Sequence, residues 1–183
     1  MRKSLVSIVL CLSVFLPAGA RACDMQASWM QRACSRVVQI WDTGHNDLYL
    51  TGWAWHNRAM YSARKIREFN EGAWGGGYGR SIYDEDGNWQ GLYFMSFLDS
   101  HARVQAMAGY GFLNIADLSP NWHVGAGYTL FLMSRKDIND YIPFPGVLPL
   151  VSVGYRKASV FATYIPGARG AGNVLFVFGK WSF

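Results

Sequence analysis

The chain ends in Leu175-Phe176-Val177-Phe178-Gly179-Lys180-Trp181-Ser182-Phe183, an alternating stretch with a terminal aromatic residue. Successive side chains of a β-strand point to opposite faces, so two sets of side chains separate here. One set would face lipid and comprises Leu175, Val177, Trp181 and Phe183; the other would face inward and comprises Val174, Phe176, Phe178, Lys180 and Ser182. This arrangement is typical of a strand in an outer-membrane β-barrel.

Seven further segments of strand character precede this one, beginning at Asp47. The eight segments are 47–57, 74–84, 88–99, 103–113, 121–134, 148–156, 159–165 and 173–183. Eight strands of about ten residues form the smallest common membrane barrel. We therefore predict an all-β fold, an eight-stranded antiparallel transmembrane β-barrel, over residues 47–183.

The predicted connections between strands differ in length. Residues 58–73 and 135–147 form long connections, whereas Asp84-Glu85-Asp86-Gly87-Asn88 forms a tight turn. Membrane barrels have long loops outside the cell and short turns in the periplasm. If the first strand starts in the periplasm, both long connections lie outside and the eighth strand ends back in the periplasm.

The N-terminus has the features of a secretory leader. Arg2 and Lys3 precede an apolar run, Leu5 to Leu16, that is too short to cross a bilayer. Small residues then suit cleavage after Ala20 or after Ala22. We predict a signal peptide over residues 1–22, removed on export to the cell outer membrane.

Two cysteines, Cys23 and Cys34, remain after the leader. On one helix, 11 residues would separate their Cα atoms by roughly 16 Å, too far for a disulfide. We therefore expect no bridge unless the segment before the helix folds back. A lipid anchor on Cys23 is disfavoured, because Ala20 stands where a Leu-like residue is expected.

An N-terminal amphipathic helix on the periplasmic side of the barrel is predicted within residues 23–43. Apolar residues recur there at intervals of three and four, and they are Trp29, Met30, Ala33, Val37, Ile40 and Trp41. Two interpretations remain open. The helix packs against its own domain, or it lies at the membrane surface, where Trp and Arg suit the headgroup region.

Composition limits the remaining possibilities. The chain has 183 residues, of which 51% are hydrophobic and 16% aromatic, consistent with one domain. Its formal charge of +5 falls to +2 when Arg2, Lys3 and Arg21 leave with the leader. So small a charge argues against nucleic acid as a partner. A closed barrel has no free strand edge, so we expect a monomer or a weak homodimer.

The predicted inward faces of two strands show a gradient. In the strand 121–134, Trp122, Val124, Tyr128, Leu130 and Leu132 would face lipid, whereas His123, Gly125, Gly127, Thr129, Phe131 and Met133 would face inward. Like the last strand, it places apolar residues inside at the outer end and polar residues at the periplasmic end. We predict a lumen that holds packed side chains or a hydrocarbon chain, and not a water-filled pore.

Three polar residues with complementary chemistry converge at the predicted outer rim. His56 ends the first strand, and Asp99 and Ser100 end the third. A base, a carboxylate and a hydroxyl suit acyl transfer, although Asp99 and Ser100 can act together only if the strand has ended there. His101, beside Ser100, is a second candidate base. Neither metal-ligand spacing nor a phosphate-binding loop is present, so we expect no metal and no cofactor.

These residues resemble a known family. The matching motifs are Asp47-Leu48-Tyr49, Trp55-His56, Trp74-Gly75-Gly76-Gly77, Asp86-Gly87-Asn88-Trp89, Gly91-Leu92-Tyr93, Asp99-Ser100, Ala108-Gly109-Tyr110-Gly111, Tyr141-Ile142-Pro143 and Tyr164-Ile165-Pro166-Gly167. In order and spacing they resemble the lipid A palmitoyltransferases of the PagP family, over nearly all of the chain that follows the leader.

The resemblance implies a Gram-negative outer-membrane enzyme without a cofactor. It implies transfer of a palmitoyl chain from the sn-1 position of a phospholipid to a hydroxyacyl chain of lipid A, the lipid anchor of lipopolysaccharide. His56, Asp99 and Ser100 fall on the family's essential positions, and Lys65 falls on a basic loop position that assists lipid A recognition. Gly111 falls on the glycine at the floor of the acyl pocket, which sets the selectivity for a sixteen-carbon chain.

The family also has prolines that weaken strand pairing so that lipids can enter the barrel sideways. Pro149 and Pro166 match one such gate, between the sixth and seventh strands. At the other gate, Thr51 and Ala73 stand where the family has prolines, and Arg169 stands at a loop tyrosine. The entry route of lipid A is therefore left open.

The chemistry of this transfer suggests roles for the three rim residues. We predict His56 as general base, Asp99 as its orienter, and Ser100 as a polar stabiliser or a transient nucleophile. Two other classes of function stay open: a non-catalytic barrel that binds lipid or host surfaces, and a phospholipase that passes the acyl group to water.

Overall fold

Antiparallel pairing of eight strands closes a barrel in the computed structural model, which describes Cys23 and residues 27–183. The strands are β1 (His45–His56), β2 (Gly72–Tyr83), β3 (Trp89–Leu98), β4 (Val104–Ser119), β5 (Trp122–Ser134), β6 (Phe144–Tyr155), β7 (Ala158–Ile165) and β8 (Val174–Ser182). Each strand pairs with its neighbours in sequence, and β1 pairs with β8. The predicted fold is confirmed. The predicted signal peptide lies outside the described residues.

Two strands differ from the prediction by four residues or more at one end. β4 continues to Ser119, beyond the predicted end at residue 113, because its ladder with β5 continues through Asp117 and His123. β6 begins at Phe144, four residues before the predicted start. Its first residues pair with β5 alone, and this one-sided pairing tolerates Pro145, which has no backbone donor. The connection after β5 is correspondingly shorter than expected.

The described chain divides into two compact units between Val38 and Gln39, a boundary that falls within the helix α1 (Ser28–Thr43). In the first unit, a disulfide joins Cys23 to Cys34, with the Cα atoms 5.5 Å apart. The prediction of no bridge is wrong, since it assumed both cysteines on one helix, whereas α1 begins only at Ser28. The bonded Sγ of Cys23 is also not available for a lipid thioether.

Within the second unit, the last turn of α1 has buried and exposed apolar residues. Ile40 is fully buried, whereas Trp41 is exposed. No helix among the described residues combines the length and the apolar character that a bilayer crossing requires.

The strands divide their side chains between lumen and exterior as predicted. On β8, Phe176, Phe178 and Lys180 are buried and Trp181 is exposed. On β5, Thr129 and Met133 are buried, whereas the outward residues Trp122, Tyr128, Leu130 and Leu132 are exposed. The lumen is therefore filled by side chains, and the outer surface is apolar where lipid would meet it.

The lumen changes character along its length. We call the end at which β1 finishes, at His56, the upper rim, and the end at which β1 begins, at His45, the lower end. Near the lower end, Lys180 Nζ lies 3.2 Å from Asp47 Oδ1, and Ser182 Oγ donates a 2.6 Å hydrogen bond to the same oxygen. Asp47 is 0% and Lys180 5% exposed, so the pair is buried.

The substitution Lys180→Met tests the importance of this ion pair for stability. It leaves the Asp47 carboxylate buried without its cation, which should lower the free energy of unfolding by about 3–5 kcal/mol. Urea unfolding of the barrel in detergent micelles measures the loss. Lys157→Met, at an exposed position, is the control, and adding Asp47→Asn to Lys180→Met should restore much of the stability. Equal effects of Lys180→Met and Lys157→Met would contradict the assignment.

Candidate active site

His56 and Ser100 lie together at the upper rim. His56 is the last residue of β1, and Ser100 lies in the turn between β3 and β4. His56 Nε2 is 3.0 Å from Ser100 Oγ, although 44 residues separate them in sequence. His56 is 2% exposed, so its imidazole is shielded from bulk water.

Asp99 lies at the same rim but has another role in the turn. β3 ends at Leu98, so Asp99 and Ser100 are no longer on a regular strand, as their joint action required. The Asp99 carboxylate accepts hydrogen bonds from the backbone amides of His101 and Arg103, each at 2.8 Å. Among the described residues it makes no hydrogen bond to His56. Asp99 therefore shapes the turn that presents Ser100.

Glu71 occupies the position that we predicted for Asp99. Its Oε1 lies 3.3 Å from His56 Nδ1 and accepts a 2.9 Å hydrogen bond from the His56 backbone amide. A carboxylate can only accept, so this contact places the proton of a neutral imidazole on Nδ1. Nε2 then presents its lone pair to the Ser100 hydroxyl, the arrangement of a nucleophile or donor next to a base.

Arg58 holds Glu71 in place. Its guanidinium donates to both carboxylate oxygens, at 2.6 Å and 2.8 Å, and also to the backbone oxygen of His56 at 3.2 Å. The hydrogen bond from Arg58 is the main reason that the pKa of Glu71 falls to about 2, with further contributions from the His56 contacts. Burial acts in the opposite direction but does not prevail. Glu71 is therefore ionised at any physiological pH.

Aromatic side chains fix the plane of the His56 ring. Phe69 stacks on it with a centroid separation of 4.2 Å and an angle of 20°. Tyr61 meets the ring edge-on at 5.6 Å, and its hydroxyl donates to the backbone oxygen of Gly172. These contacts cover one face of the imidazole and reduce the access of water to it.

A cavity of about 420 Å³ opens beside His56 and descends into the barrel. Polar residues line its mouth, including His56, Ser100, Asp99 and Lys65, whose Nζ donates a 2.7 Å hydrogen bond to the backbone oxygen of Gly170. Its deeper walls are apolar and include Ala54, Ala73, Phe97, Met107, Met133 and Phe176. This shape suits a molecule with a polar head and a hydrocarbon tail.

Gly111, the predicted floor of the acyl pocket, lies below this cavity and does not line it. A Cβ at Gly111 would come within 2.8 Å of Trp89 Cζ3 and 3.4 Å of Leu150 Cδ2. The region in between is filled by buried side chains, among them Tyr49, Tyr93, Met95 and Phe178. The close approach of Trp89 explains why this position needs glycine.

The sequence of the chain matches known proteins over most of its length. The family model described as "Antimicrobial peptide resistance and lipid A acylation protein PagP" matches residues 36–180. The chain belongs to the PagP family. It is similar to the lipid A acyltransferase PagP of Bordetella parapertussis, with 62% identity over 170 residues, 93% of each chain.

PagP relatives of lower sequence identity also match most of the chain. The lipid A acyltransferase PagP of Legionella pneumophila is 48% identical over 160 residues, covering 87% of this chain and 86% of the relative. That of Methylobacillus flagellatus is 45% identical over 177 residues, 96% of each chain. The predicted family is confirmed, over both the barrel and the site.

One of the two gates inferred from the resemblance to PagP coincides with a gap in the ladder. β6 and β7 pair only from Leu150 with Thr163 to Tyr155 with Ala158. Above that point, Pro149 and Pro166 stand where no strand pairing continues, and Thr163 Oγ1 donates to the Pro149 oxygen at 2.7 Å. The backbone ladder between β6 and β7 therefore stops below the upper part of this seam.

The second seam, between β1 and β2, is closed in the same part of the barrel. Thr51 Oγ1 donates a 2.7 Å hydrogen bond to the Ala73 oxygen, and the Ala54 amide donates to the Glu71 oxygen at 3.0 Å. Threonine thus adds a hydrogen bond where the family's proline would remove one. A lipid has no comparable gap in the ladder here.

A further polar cluster lies beside the site. Ligand atoms of Asp99, His101 and Asp137 lie within 4.8 Å of one another. Arg135, however, already binds both carboxylate oxygens of Asp137, at 2.9 Å and 2.8 Å. Because a protein cation satisfies this carboxylate, we assign no metal to the cluster.

The pKa of Glu71 provides a test of the site geometry. Because the folded-state pKa of about 2 lies below the unfolded value of about 4.3, the stabilisation by ionised Glu71 is complete above about pH 4.3 and is lost as the pH falls toward 2. Arg58→Met should raise the pKa of Glu71 toward its ordinary value. Carboxyl ¹³C chemical shifts over a pH titration measure this change.

The matched control for that titration is Arg64→Met. Arg64 and Glu68 form an exposed pair at 4.0 Å on the short helix α2 (Ala63–Glu68), so its loss should leave the Glu71 titration unchanged. A Glu71 pKa near 4 in the wild-type protein would contradict the geometry.

Proposed function

We propose that this protein transfers a palmitoyl chain from the sn-1 position of an outer-leaflet phospholipid to a hydroxyacyl chain of lipid A. The observation that carries the proposal is the contact of His56 Nε2 with Ser100 Oγ at the mouth of an apolar cavity. Membership of a family whose curated relatives are lipid A acyltransferases supplies the acceptor class. The reaction moves an acyl group between two hydroxyls without a cofactor.

The proposal includes the cellular arrangement of the chain. Residues 1–22 form a signal peptide that is removed, residues 23–43 contain an amphipathic helix, and residues 47–183 form a barrel in the outer membrane. The closed barrel and the PagP family both fit an outer-membrane protein. At the upper rim, Lys65 would face the phosphates of lipid A, and the seam at Pro149 and Pro166 would admit lipids sideways.

His56 acts as the general base of the transfer. Its Nε2 accepts the proton of the Ser100 hydroxyl as the oxygen attacks the carbonyl carbon of the phospholipid ester. The ester bond to glycerol breaks, and the proton on Nε2 passes to the departing glycerol oxygen. The products of this half-reaction are an acyl ester on Ser100 and a lysophospholipid.

In the second half-reaction, a hydroxyl of lipid A is the nucleophile and Ser100 Oγ is the leaving group. A hydroxyl of lipid A loses its proton to His56 Nε2 and attacks the acyl carbonyl, and Ser100 Oγ recovers the proton as the acyl bond to serine breaks. The apolar cavity and the ring of Phe69 limit the water that would compete with this hydroxyl. Transfer thereby prevails over hydrolysis.

Removing the base tests this function. In cells that express His56→Asn, the rate of lipid A palmitoylation should fall about 10²–10⁴-fold, the range that general base catalysis contributes. Mass spectrometry of extracted lipid A measures it. His45→Asn, an exposed histidine at the lower end, is the control and should keep full activity. Full activity of His56→Asn would remove the residue from the mechanism.

The substitution Ser100→Ala distinguishes a covalent acyl-enzyme route from direct transfer to lipid A. Ser100→Ala should stop the reaction and remove a palmitoylated protein that is detected by intact-protein mass spectrometry after rapid acid quenching in wild-type samples. If Ser100→Ala retains the rate of the wild type, the lipid A hydroxyl attacks directly and Ser100 is no nucleophile.

Glu71 should act by positioning His56. Glu71→Gln retains the size of the side chain but loses the charge that stabilises the protonated imidazole, so kcat should fall at least about tenfold with little change in KM. Steady-state kinetics with defined phospholipids provide both constants. Glu71→Asp should recover part of kcat because it restores the carboxylate. A change confined to KM would contradict a positioning role.

A further inference from the structure

The cavity beside His56 is too short for a long acyl chain. On β3, Phe97 is its deepest lining residue, three positions from Ser100, whereas Gly91, the pairing partner of Gly111, is nine positions away. At about 3.4 Å per residue and a tilt near 40°, these levels lie roughly 8 Å and 23 Å below Ser100. The acyl chains of one leaflet span about 15 Å although they are not fully extended, so an extended long chain reaches deeper still. Such a chain would therefore have to pass Phe97.

Two stacked rings lie at the deep end of the cavity on the side of β3 and β8. Phe97 of β3 and Phe176 of β8 lie face to face across the lumen, with centroids 4.8 Å apart and planes 17° from parallel. Both line the cavity, and both are at least nine-tenths buried. On the side of β3 and β8, the pair therefore lies between the cavity above and the packed interior below, whereas Met107 and Met133 line the cavity on β4 and β5.

A continuous column of rings continues from this pair toward Gly111. Phe176 contacts Phe178 at 5.4 Å, Phe178 stacks on Phe161 at 5.3 Å, and Phe161 meets Trp89 at 5.2 Å. Trp89 is the ring that a Cβ at Gly111 would strike. A chain that reaches the level of Gly111 must displace members of this column.

Flexible side chains pack next to this column of rings and permit such displacement. Met95, Met107 and Met133 are buried beside it, and methionine repacks more readily than branched or aromatic residues. The buried indole nitrogen of Trp89, Nε1, has no hydrogen-bond partner among the described residues. This unpaired donor lowers the stability of the closed packing.

We propose that Phe97 and Phe176 form an internal gate of the acyl site, which long donor chains open and short chains do not need. This inference rests on the proposed acyl transfer and names two residues that control the access of long chains to the interior above Gly111. A short chain occupies the cavity above the closed rings. A long chain separates them and extends toward Trp89, where Gly111 sets the final depth.

The ratio of kcat/KM for a long and a short acyl donor tests the gate. Phospholipids with an octanoyl or a palmitoyl chain at sn-1 are supplied separately, and kcat/KM for acylation of lipid A is measured by mass spectrometry. Phe97→Trp places a larger ring in the stack and should lower the palmitoyl-to-octanoyl ratio at least tenfold. Phe94→Trp is the matched control, because Phe94 lies on the same strand with its ring exposed, and it should leave the ratio unchanged.

The octanoyl rate separates misfolding from gating. A misfolded Phe97→Trp protein loses both activities, whereas a closed gate spares octanoyl transfer; if both activities fall, Phe176→Trp is tested in the same way. Gly111→Met should also lower palmitoyl transfer alone, since it blocks the segment below the gate. Unchanged palmitoyl transfer by Gly111→Met, or an unchanged ratio in a folded Phe97→Trp protein, would overturn the proposal.

Fluorescence tests the gate without turnover. An alkyl phosphocholine of sixteen carbons with bromine at its far end should quench the part of the emission that Trp89→Phe removes, and an eight-carbon analogue should not. Quenching by neither compound would overturn the gate. Quenching by the long compound without acylation of lipid A from any donor would instead overturn the proposed function and leave the gate in place.

Discussion

The structure depends on the need to satisfy every backbone hydrogen bond inside a bilayer. Lipid offers no donors or acceptors, so strands can cross it only when each pairs on both sides. Here β1 pairs with β8 over most of its length, and this pairing closes the sheet. The exceptions occur near the upper rim, where β6 has no partner on the side of β7 above Leu150. We propose that lipids enter the barrel laterally at this gap.

The same closure explains the chemistry of the site. A narrow closed barrel forces side chains into the lumen, and at the upper rim they line a cavity, apolar in its deeper part, next to one imidazole. His56 is held on three sides, by Ser100, by Glu71 and by the ring of Phe69. We propose that His56 activates the hydroxyl placed against it, and that the apolar surroundings limit competing water. The lower end of the lumen is closed differently, by the buried pair of Asp47 and Lys180.

Much of the fold could be predicted from the sequence because lipid on one side and a packed lumen on the other impose a period of two. That period identified all eight strands, and it placed Phe176, Phe178 and Lys180 inside the barrel. The end of β4 was missed because its last turn-like residues, such as Asn114 and Asp117, pair with β5 regardless of their preference for loops. The disulfide was missed because the start of α1 was placed too early.

The site could be predicted only in part. The proximity of His56 and Ser100 could be predicted from the number of strands and their alternating direction, since both residues lie at strand ends on the same outer rim. Glu71 was missed because nothing in Asn70-Glu71-Gly72 distinguishes it from other loop carboxylates. Its role depends on the bulged pairing of β1 with β2, which brings Glu71 beside His56 and Arg58. A contact that depends on the register of two strands could not be predicted from the sequence of this loop.

The central claim is that an apolar cavity beside His56 passes an acyl chain from one lipid hydroxyl to another. The most direct measurement uses purified protein in vesicles that contain lipid A and a phospholipid with a ¹³C-labelled sn-1 palmitoyl chain. We predict labelled lipid A and lysophospholipid in equal amounts, with little free fatty acid. Labelled free palmitate together with unlabelled lipid A would show that water is the acceptor and would contradict the account.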